Sequence, residues 1–166
     1  MSKECVLLTL YMTDLLGEYE VAIDSKGRFL LPSGLRKQLA AGEGERFVVN
    51  RGFESCLTIY LMDTWKALSA QVNKLNDFQA NVREFKRLFL NGATIVEVDS
   101  ADRFLAPKQL MEYAGIKKDA VLLAQGNKIE LWDRDKYYAY LREKSGGYSQ
   151  LAADVAGTFG NPFENL

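Results

Sequence analysis

The stretch Ile23-Asp24-Ser25-Lys26-Gly27-Arg28-Phe29-Leu30-Leu31-Pro32 recurs 75 positions later as Val98-Asp99-Ser100-Ala101-Asp102-Arg103-Phe104-Leu105-Ala106-Pro107. Asp, Ser, Arg, Phe, Leu and Pro are identical at matching positions, and the first position is β-branched in both copies. Self-similarity at a fixed spacing is the signature of a repeated structural unit. The chain is therefore predicted to contain two copies of one small module.

Short β-prone runs follow both copies of this stretch. Phe47-Val48-Val49 and Val121-Leu122-Leu123 each lead through a glycine into a second apolar run, Leu57-Thr58-Ile59-Tyr60 or Ile129-Glu130-Leu131-Trp132. Such runs bounded by turn residues are typical of strands. Each module is predicted to contain, in chain order, a strand, a tight turn, a strand, a short helix, a strand, a turn, a strand and a helix.

The short helix of each module has its own start and stop signals. Pro32 and Pro107 fit the first turn, where the missing N–H of proline has no hydrogen-bond partner to lose. Gly42 and Gly115 fit the end of the helix, where a left-handed residue is common.

Apolar residues at helical spacing lie between the modules and indicate two further helices with an aromatic stripe in the core: Trp65, Leu68, Val72, Leu75, Phe78, Val82, Phe85 and Phe89. Another helix is predicted after Asp133. The tail beyond Gly147 is predicted to be mobile or to form a short helix at 151–156.

The predicted boundaries follow from these patterns. Residues 1–16 form an N-terminal extension, 17–63 the first module, 64–92 a helical connector, 93–133 the second module, and 134–166 the C-terminal helix and mobile tail. The apolar run 5–12 is interpreted as a strand or an extension, with a targeting segment as the alternative. Met1 and Met12 both remain open as the start of translation.

Composition restricts the function classes. The 166-residue chain is 48% hydrophobic and 26% charged, as in globular proteins. It has no histidine, and its two cysteines lie far apart, so the sequence predicts no metal site and no cofactor. It carries no phosphate-binding glycine motif. No apolar run is long enough to span a membrane. An enzyme is the least supported class.

The turn between the first two strands carries the most informative chemistry. Lys26 lies at its tip, Gly27 allows the reversal, and Arg28 is expected to face the open side because Phe29 faces the core. Exposed Lys and Arg on a β-turn suit phosphate or base-edge contacts in DNA. The alternative is that Asp24 and Arg28 form a surface ion pair that only holds the turn.

The net charge of −1 is low for a nucleic-acid binder, so the local charge decides. Residues 24–37 carry four bases and one acid: Lys26, Arg28, Arg36, Lys37 and Asp24. Residues 97–118 carry four bases and four acids. The first module is therefore predicted to be the better anion binder, and Asp102, which replaces the glycine of the first turn, adds negative charge to the second.

The chain resembles the MraZ family of bacterial transcriptional regulators over residues 17 to 143. In the first module the resemblance rests on Gly17-Glu18-Tyr19, Ile23-Asp24-x-Lys26-Gly27-Arg28, Leu31-Pro32, Phe47-Val48-Val49, Cys56-Leu57-x-Ile59-Tyr60, Trp65, Arg83-x-Phe85-x-Arg87 and Gly92-Ala93. In the second it rests on Asp99-x-x-x-Arg103, Pro107, Ala114-Gly115-Ile116 and Asn127-Lys128-x-Glu130-Leu131-Trp132-Asp133.

The resemblance implies an α+β fold of two tandem, pseudo-two-fold related AbrB/SpoVT-like swapped-hairpin β modules with connecting and flanking helices, assembled into a homo-oligomeric ring. It also implies a cytoplasmic, nucleoid-associated repressor that binds double-stranded DNA at direct repeats upstream of the division and cell-wall operon, with no membrane partner.

The family's DNA-contacting arginine transfers to Arg28 and to Arg103, where Asp102 departs from the pattern. The expected DNA-binding residues are Lys26, Arg28, Arg103, Arg36 and Lys37, and the expected structural residues are Asp24, Gly27, Asp99, Pro32 and Pro107. A ring-forming protein-interaction scaffold that does not bind DNA is the alternative function.

Overall fold

The computed structural model describes residues 14–40 and 42–160, which fall into two units, Met1–Arg134 and Asp135–Leu166. The predicted strand or extension at 5–12 lies outside the described residues. The described part of the chain is α+β, with a mainly antiparallel six-stranded sheet, a two-stranded ladder and six helices.

The first unit contains every strand and follows the predicted element order. The predicted first module supplies β1 (Leu15–Ala22), β2 (Arg28–Leu30), α1 (Ser33–Arg36), β3 (Arg46–Arg51) and β4 (Leu57–Leu61), and α2 (Met62–Asn73) follows in the connector. After α3 (Ala80–Phe89) come β5 (Thr94–Glu97), β6 (Arg103–Leu105), α4 (Lys108–Ala114), β7 (Asp119–Gly126) and β8 (Lys128–Asp133).

Prolines and one glycine set the limits of the short helices. Pro32 and Pro107 immediately precede α1 and α4, and their carbonyl oxygens accept the first helical hydrogen bonds. Gly115 ends α4 in the left-handed conformation, as predicted. The prediction for Gly42 is wrong: α1 ends at Arg36 and continues as i to i+3 hydrogen bonds, so Gly42 lies in a later turn.

Each module contributes strands to the other. The sheet order is β1-β7-β8-β4-β3-β5, so β1 pairs with β7 and β5 pairs with β3, all antiparallel. The two modules meet in the middle, where β4 pairs with β8. In the repeat, β1, β3 and β4 correspond to β5, β7 and β8. The strand order is therefore the same for the two modules when it is counted from opposite edges of the sheet.

The two-stranded ladder lies against this sheet and joins the two copies of the repeated stretch. In β2 and β6, Arg28 pairs with Leu105, Phe29 with Phe104, and Leu30 with Arg103. Strand alternation turns both phenylalanines inward, where they are buried in the core, and turns the flanking residues outward.

The connector forms the two predicted helices, α2 and α3. Trp65, Phe85 and Phe89 stack on one another, with ring centroids 5.4 Å apart for Trp65–Phe89 and 5.3 Å for Phe85–Phe89. The prediction that the whole aromatic stripe is core is wrong for Phe78, which is 94% exposed because it lies in the break between the helices.

The second unit consists of most of α5 (Arg134–Ser145) and of α6 (Tyr148–Phe159). Helix α6 is longer at both ends than the short helix predicted at 151–156. No helix among the described residues is both long and apolar enough to cross a membrane.

Candidate nucleic-acid interface

The turn between β1 and β2 is held together by the side chain of Asp24. Its Oδ1 accepts hydrogen bonds from the backbone N–H groups of Lys26 and Arg28, each at 2.9 Å. Its Oδ2 accepts a hydrogen bond from Nε of Arg28 at 2.9 Å. Gly27 closes the turn with a φ of +84°, a conformation that glycine adopts without steric penalty. One carboxylate thus fixes both the backbone and the arginine side chain.

The turn between β5 and β6 repeats this geometry. Oδ1 of Asp99 accepts hydrogen bonds from the backbone N–H groups of Ala101 and Arg103, and Oδ2 accepts one from Nε of Arg103 at 2.8 Å. Asp102 occupies the place of Gly27 and has a φ of +59°, so it is an aspartate at a position that favours glycine. The structure thus places Asp24, Gly27 and Asp99, the predicted structural residues, within the two turns.

Hydrogen bonding affects the acidity of both aspartates. The backbone N–H of Arg28 is the largest cause that lowers the pKa of Asp24 below its ordinary value, and Arg103 has the same effect on the pKa of Asp99. Both carboxylates are therefore ionised at neutral pH and remain acceptors for their arginines.

The ladder places the two turns at opposite ends. The carbonyl of Gly27 accepts a hydrogen bond from the N–H of Ala106, beyond β6, and the carbonyl of Asp102 accepts one from the N–H of Leu31, beyond β2. Each turn therefore lies beside the short helix of the other module. We call these the first end, at Gly27, and the second end, at Asp102.

A groove of about 710 Å³ opens at the first end. Its lining combines Lys26 from the first module with Lys108, Lys117 and Lys118 from the second, against the acids Asp24 and Glu112. All four lysines are exposed, and none has an ion-pair partner within residues 14–40 and 42–160. The first end is therefore positively charged.

The corresponding groove at the second end, of about 440 Å³, has the opposite balance. Two arginines line it together with four acids: Arg36, Arg46, Glu45, Glu97, Asp99 and Asp102. Both arginines are in ion pairs, Arg36 with Asp102 at 3.2 Å and Arg46 with Glu97 at 3.5 Å.

The predicted DNA-binding residues thus separate into different surroundings. Lys26 and Arg28 lie together at the first end, while Arg103 lies at the second. Arg36, predicted beside Lys26 and Arg28, instead reaches the second end, where it donates a hydrogen bond to the carbonyl of Gly44 and contacts Asp102. Lys37 follows the last residue of α1 and is exposed.

Sequence reasoning missed Lys108, Lys117 and Lys118. Charge was counted within each module, and in the second module these lysines were cancelled by nearby acids. The fold separates these lysines from Glu97, Asp99 and Asp102 but not from Glu112, because α4 and the start of β7 lie beside the turn of the first module. The N–H of Ile23 donates a hydrogen bond to the carbonyl of Lys118 at 2.7 Å, which joins the turn of the first module to the start of β7.

One cluster in the described part of the chain has the composition of a metal site: Glu54, Cys56 and Glu130. The thiol of Cys56 lies 3.4 Å from Oε2 of Glu130, to which it donates a hydrogen bond. Burial, followed by the charge of Glu130, raises the pKa of the Cys56 thiol.

The comparison with protein families matches the chain twice, at residues 15–88 and 89–157, to the family described as "MraZ protein, putative antitoxin-like". The second match begins within the predicted connector, so each copy of the repeat is matched separately. Together the two matches cover nearly all the described residues.

Curated relatives agree over most of their length. Proteins named transcriptional regulator MraZ from Christiangramia forsetii and Flavobacterium psychrophilum are 42% and 40% identical over 88% of this chain, covering 95% and 94% of their own. The protein of the same name from Acetivibrio thermocellus is 36% identical over 84% of this chain and 95% of its own.

Among solved structures, the solution structure of PHS018 from Pyrococcus horikoshii covers 71% of this chain and 88% of its own, at 19% identity and a TM-score of 0.30. That TM-score is too low to support any inference about the fold. The family matches and the relatives together show that this chain belongs to the MraZ family of transcriptional regulators and is not an enzyme.

Proposed function

We propose that this chain is a sequence-specific repressor that binds double-stranded DNA through the turn at the first end, and that it acts on direct repeats in the promoter of the division and cell-wall operon. It would work in the cytoplasm, in association with the nucleoid, as a homo-oligomeric ring. The observation that carries this proposal is the anchored arginine at Asp24, beside a groove lined by four lysines that have no ion-pair partner among the described residues.

The anchoring of Arg28 suits base recognition. Asp24 takes only Nε of the guanidinium, and no contact of the terminal nitrogens is found among the described residues. Those nitrogens can bind guanine O6 and N7, or a phosphate, in a bidentate manner. Because the side chain is already oriented, less conformational entropy is lost on binding.

The lysines provide the second component of affinity. Each lysine that neutralises a phosphate releases condensed counterions, which supplies binding that is independent of sequence and sensitive to salt. Lys26, at the turn tip, would contact the backbone next to the base that Arg28 reads. Arg36, Arg103 and Lys37 are weaker candidates, since Arg36 is paired with Asp102 and Arg103 lies at the end of the ladder whose groove four acids line.

The strand exchange supports the swapped-hairpin fold that the family resemblance implies. β1 and β5 each pair with a strand of the other module, and the strand order is the same for the two modules when it is counted from opposite edges of the sheet. We propose on this basis that residues 17–63 and 93–133 are the two AbrB/SpoVT-like modules, related by a pseudo-two-fold axis. Residues 1–16, 64–92 and 134–166 would then be extension, connector and C-terminal segment.

A ring would reconcile local positive charge with a net charge of −1. One turn offers few phosphate contacts and binds weakly. When one subunit is bound, the others in the ring meet further repeats at a high effective concentration. The affinity then depends on local charge multiplied by the number of subunits engaged.

Gel-shift titration of the promoter fragment tests the proposal, with Arg28→Ala as the main variant and Arg87→Ala, an exposed arginine on α3, as the matched control. We expect Arg28→Ala to abolish specific binding and Arg87→Ala to bind like the unchanged chain. Light scattering should give the same particle mass for all three. Equal affinity of the three proteins would contradict the proposal, and a ring that binds no DNA would favour the scaffold alternative.

A further inference from the structure

The two ends of the ladder are alike in shape and opposite in charge. Ile23, Asp24, Ser25 and Gly27 line the first groove at the positions where Val98, Asp99, Ser100 and Asp102 line the second. Both arginines of the repeat are anchored through Nε by the same aspartate geometry. Differences in DNA binding between the ends therefore come from the charges around the anchored arginines, including those of the turn residues Lys26 and Asp102, and not from how the arginines are held.

At the first end, the four lysines have no ion-pair partner among the described residues, and two acids, Asp24 and Glu112, line the groove with them. Ala101 replaces Lys26 in the second copy of the repeat, so the tip lysine belongs to the first end alone. The side chains of Lys108, Lys117 and Lys118 are exposed around the same groove. A phosphate approaching this end meets four cations within one concave surface.

At the second end, Asp102 is the residue that sets the difference. It stands where the first turn has glycine, and its carboxylate Oδ1 lies 3.2 Å from Nη2 of Arg36. Nη1 of Arg36 donates a hydrogen bond to the carbonyl of Gly44 at 2.6 Å, so both terminal nitrogens of the guanidinium have a partner. Glu45, Glu97 and Asp99 surround this pair. With Arg103 included, three arginines face four acids at this end, so a phosphate approaching here meets a surface that is negative on balance.

The left-handed backbone at Asp102 gives a second reason to assign it a role. A φ of +59° is uncommon for residues other than glycine and is tolerated by Asp and Asn. Glycine would satisfy the backbone better, so the carboxylate has its effect through charge and through Arg36.

We propose that DNA is bound only at the first end of the ladder, where Lys108, Lys117 and Lys118 of the second module hold the phosphate backbone beside Lys26, and that Asp102 keeps the second end closed to DNA. This inference rests on the proposed function and deepens it, because each subunit would bind DNA at one end of its ladder only, despite its internal repeat.

Fluorescence anisotropy with a labelled duplex carrying the promoter of the chain's own operon tests both parts, with circular dichroism to confirm folding. For the lysines, the variant is Lys117→Ala with Lys118→Ala. The control is Lys66→Ala with Lys74→Ala, which removes the same charge from α2 and from the residue that follows it. We expect the first pair to weaken binding at least about fivefold and to flatten the salt slope by about 2, and the control to change neither. Lys108→Ala gives an independent reading at the same groove.

For the second end, Arg103→Ala in the unchanged chain is expected to alter affinity by less than about twofold, whereas Arg28→Ala abolishes specific binding. Asp102→Asn keeps a residue that tolerates the left-handed backbone and removes the charge. It should tighten binding and steepen the salt slope, while Asp63→Asn, the control on α2, should not. In the Asp102→Asn background, Arg103→Ala should then weaken binding.

The outcomes separate the inference from the function it rests on. If the unchanged chain does not bind the duplex, or if Arg28→Ala binds equally well, the proposed function fails and the inference with it. If the unchanged chain binds and Arg28→Ala does not, the function stands. In that case, equal losses from Arg103→Ala and Arg28→Ala would overturn binding at one end only, as would equal behaviour of the two lysine pairs.

Discussion

Phe29 and Phe104 occupy the same position in the two copies of the repeat and stack on each other, with ring centroids 5.0 Å apart and an interplanar angle of 25°. They are register partners at the centre of the ladder, and both are almost fully buried. Phe47 packs against Phe104 from the sheet, at 5.8 Å between centroids. This pair holds the two turns at a fixed separation, so the stability of the ladder and the placement of Arg28 depend on it.

Truncation of this pair should destabilise the fold strongly. Phe104→Ala removes a buried ring and leaves a cavity, which we expect to lower the free energy of unfolding by about 3–5 kcal/mol. Phe78→Ala removes a ring of the same size that is 94% exposed and should change it by less than about 0.5 kcal/mol. Urea unfolding followed by circular dichroism measures both. Equal effects of the two variants would contradict the placement of Phe104 in the core.

Asp24→Asn tests whether the orientation of Arg28 matters for binding. The amide oxygen can still accept the backbone N–H groups of Lys26 and Arg28, but the charged contact with Nε is lost. We expect weaker DNA binding, with a smaller loss than for Arg28→Ala, and a nearly unchanged melting temperature. Asp99→Asn makes the same change at the second end and should leave DNA affinity unaltered. Anisotropy titration against the promoter duplex would show whether the two variants differ.

The two turns should open in acid and not near neutral pH. Folding lowers the pKa of Asp24 and Asp99 below the ordinary value of 3.8. A lowered pKa means that the contribution of each carboxylate is complete above that ordinary value and is lost as pH falls through the folded value. In an NMR titration, the amide resonances of Arg28 and Arg103 should move with midpoints below 3.8. Midpoints at or above that value would show that the carboxylates are not held as described.

The number of repeats in the DNA should control affinity if a ring binds several at once. A duplex with one repeat engages one turn, so it should bind much more weakly than a duplex of equal length with all the repeats. Titration of both duplexes under identical salt conditions measures the ratio. Similar affinities would indicate that only one subunit binds DNA at a time, which would contradict simultaneous binding of several repeats by one ring.

The sequence was sufficient to predict the order of the elements. Local signals determined it: Pro32 and Pro107 precede short helices, Gly115 ends one, and β-branched runs form strands. The same signals failed where tertiary packing decides. Gly42 did not mark the end of α1, because the chain after Arg36 tightens into shorter-range hydrogen bonds.

Only part of the candidate site could be predicted from the sequence. The turn residues Asp24 and Arg28 lie four positions apart, so their pairing could be anticipated from local geometry. The contribution of Lys117 and Lys118 could not, because it depends on which strands pair, and β1 pairs with a strand of the other module. The same exchange places Arg36 beside Asp102, far from it in sequence.

The salt dependence of promoter binding shows whether the lysines of the first end contact phosphates. Each phosphate contact contributes about 0.9 to the slope of log K against log salt concentration, so the four lysines of the first end predict a slope of at least about −3 for one engaged subunit. Combined replacement of Lys26, Lys117 and Lys118 by alanine should flatten it by more than 2. A slope near zero for the unchanged chain, or one that this triple replacement leaves unaltered, would contradict the account.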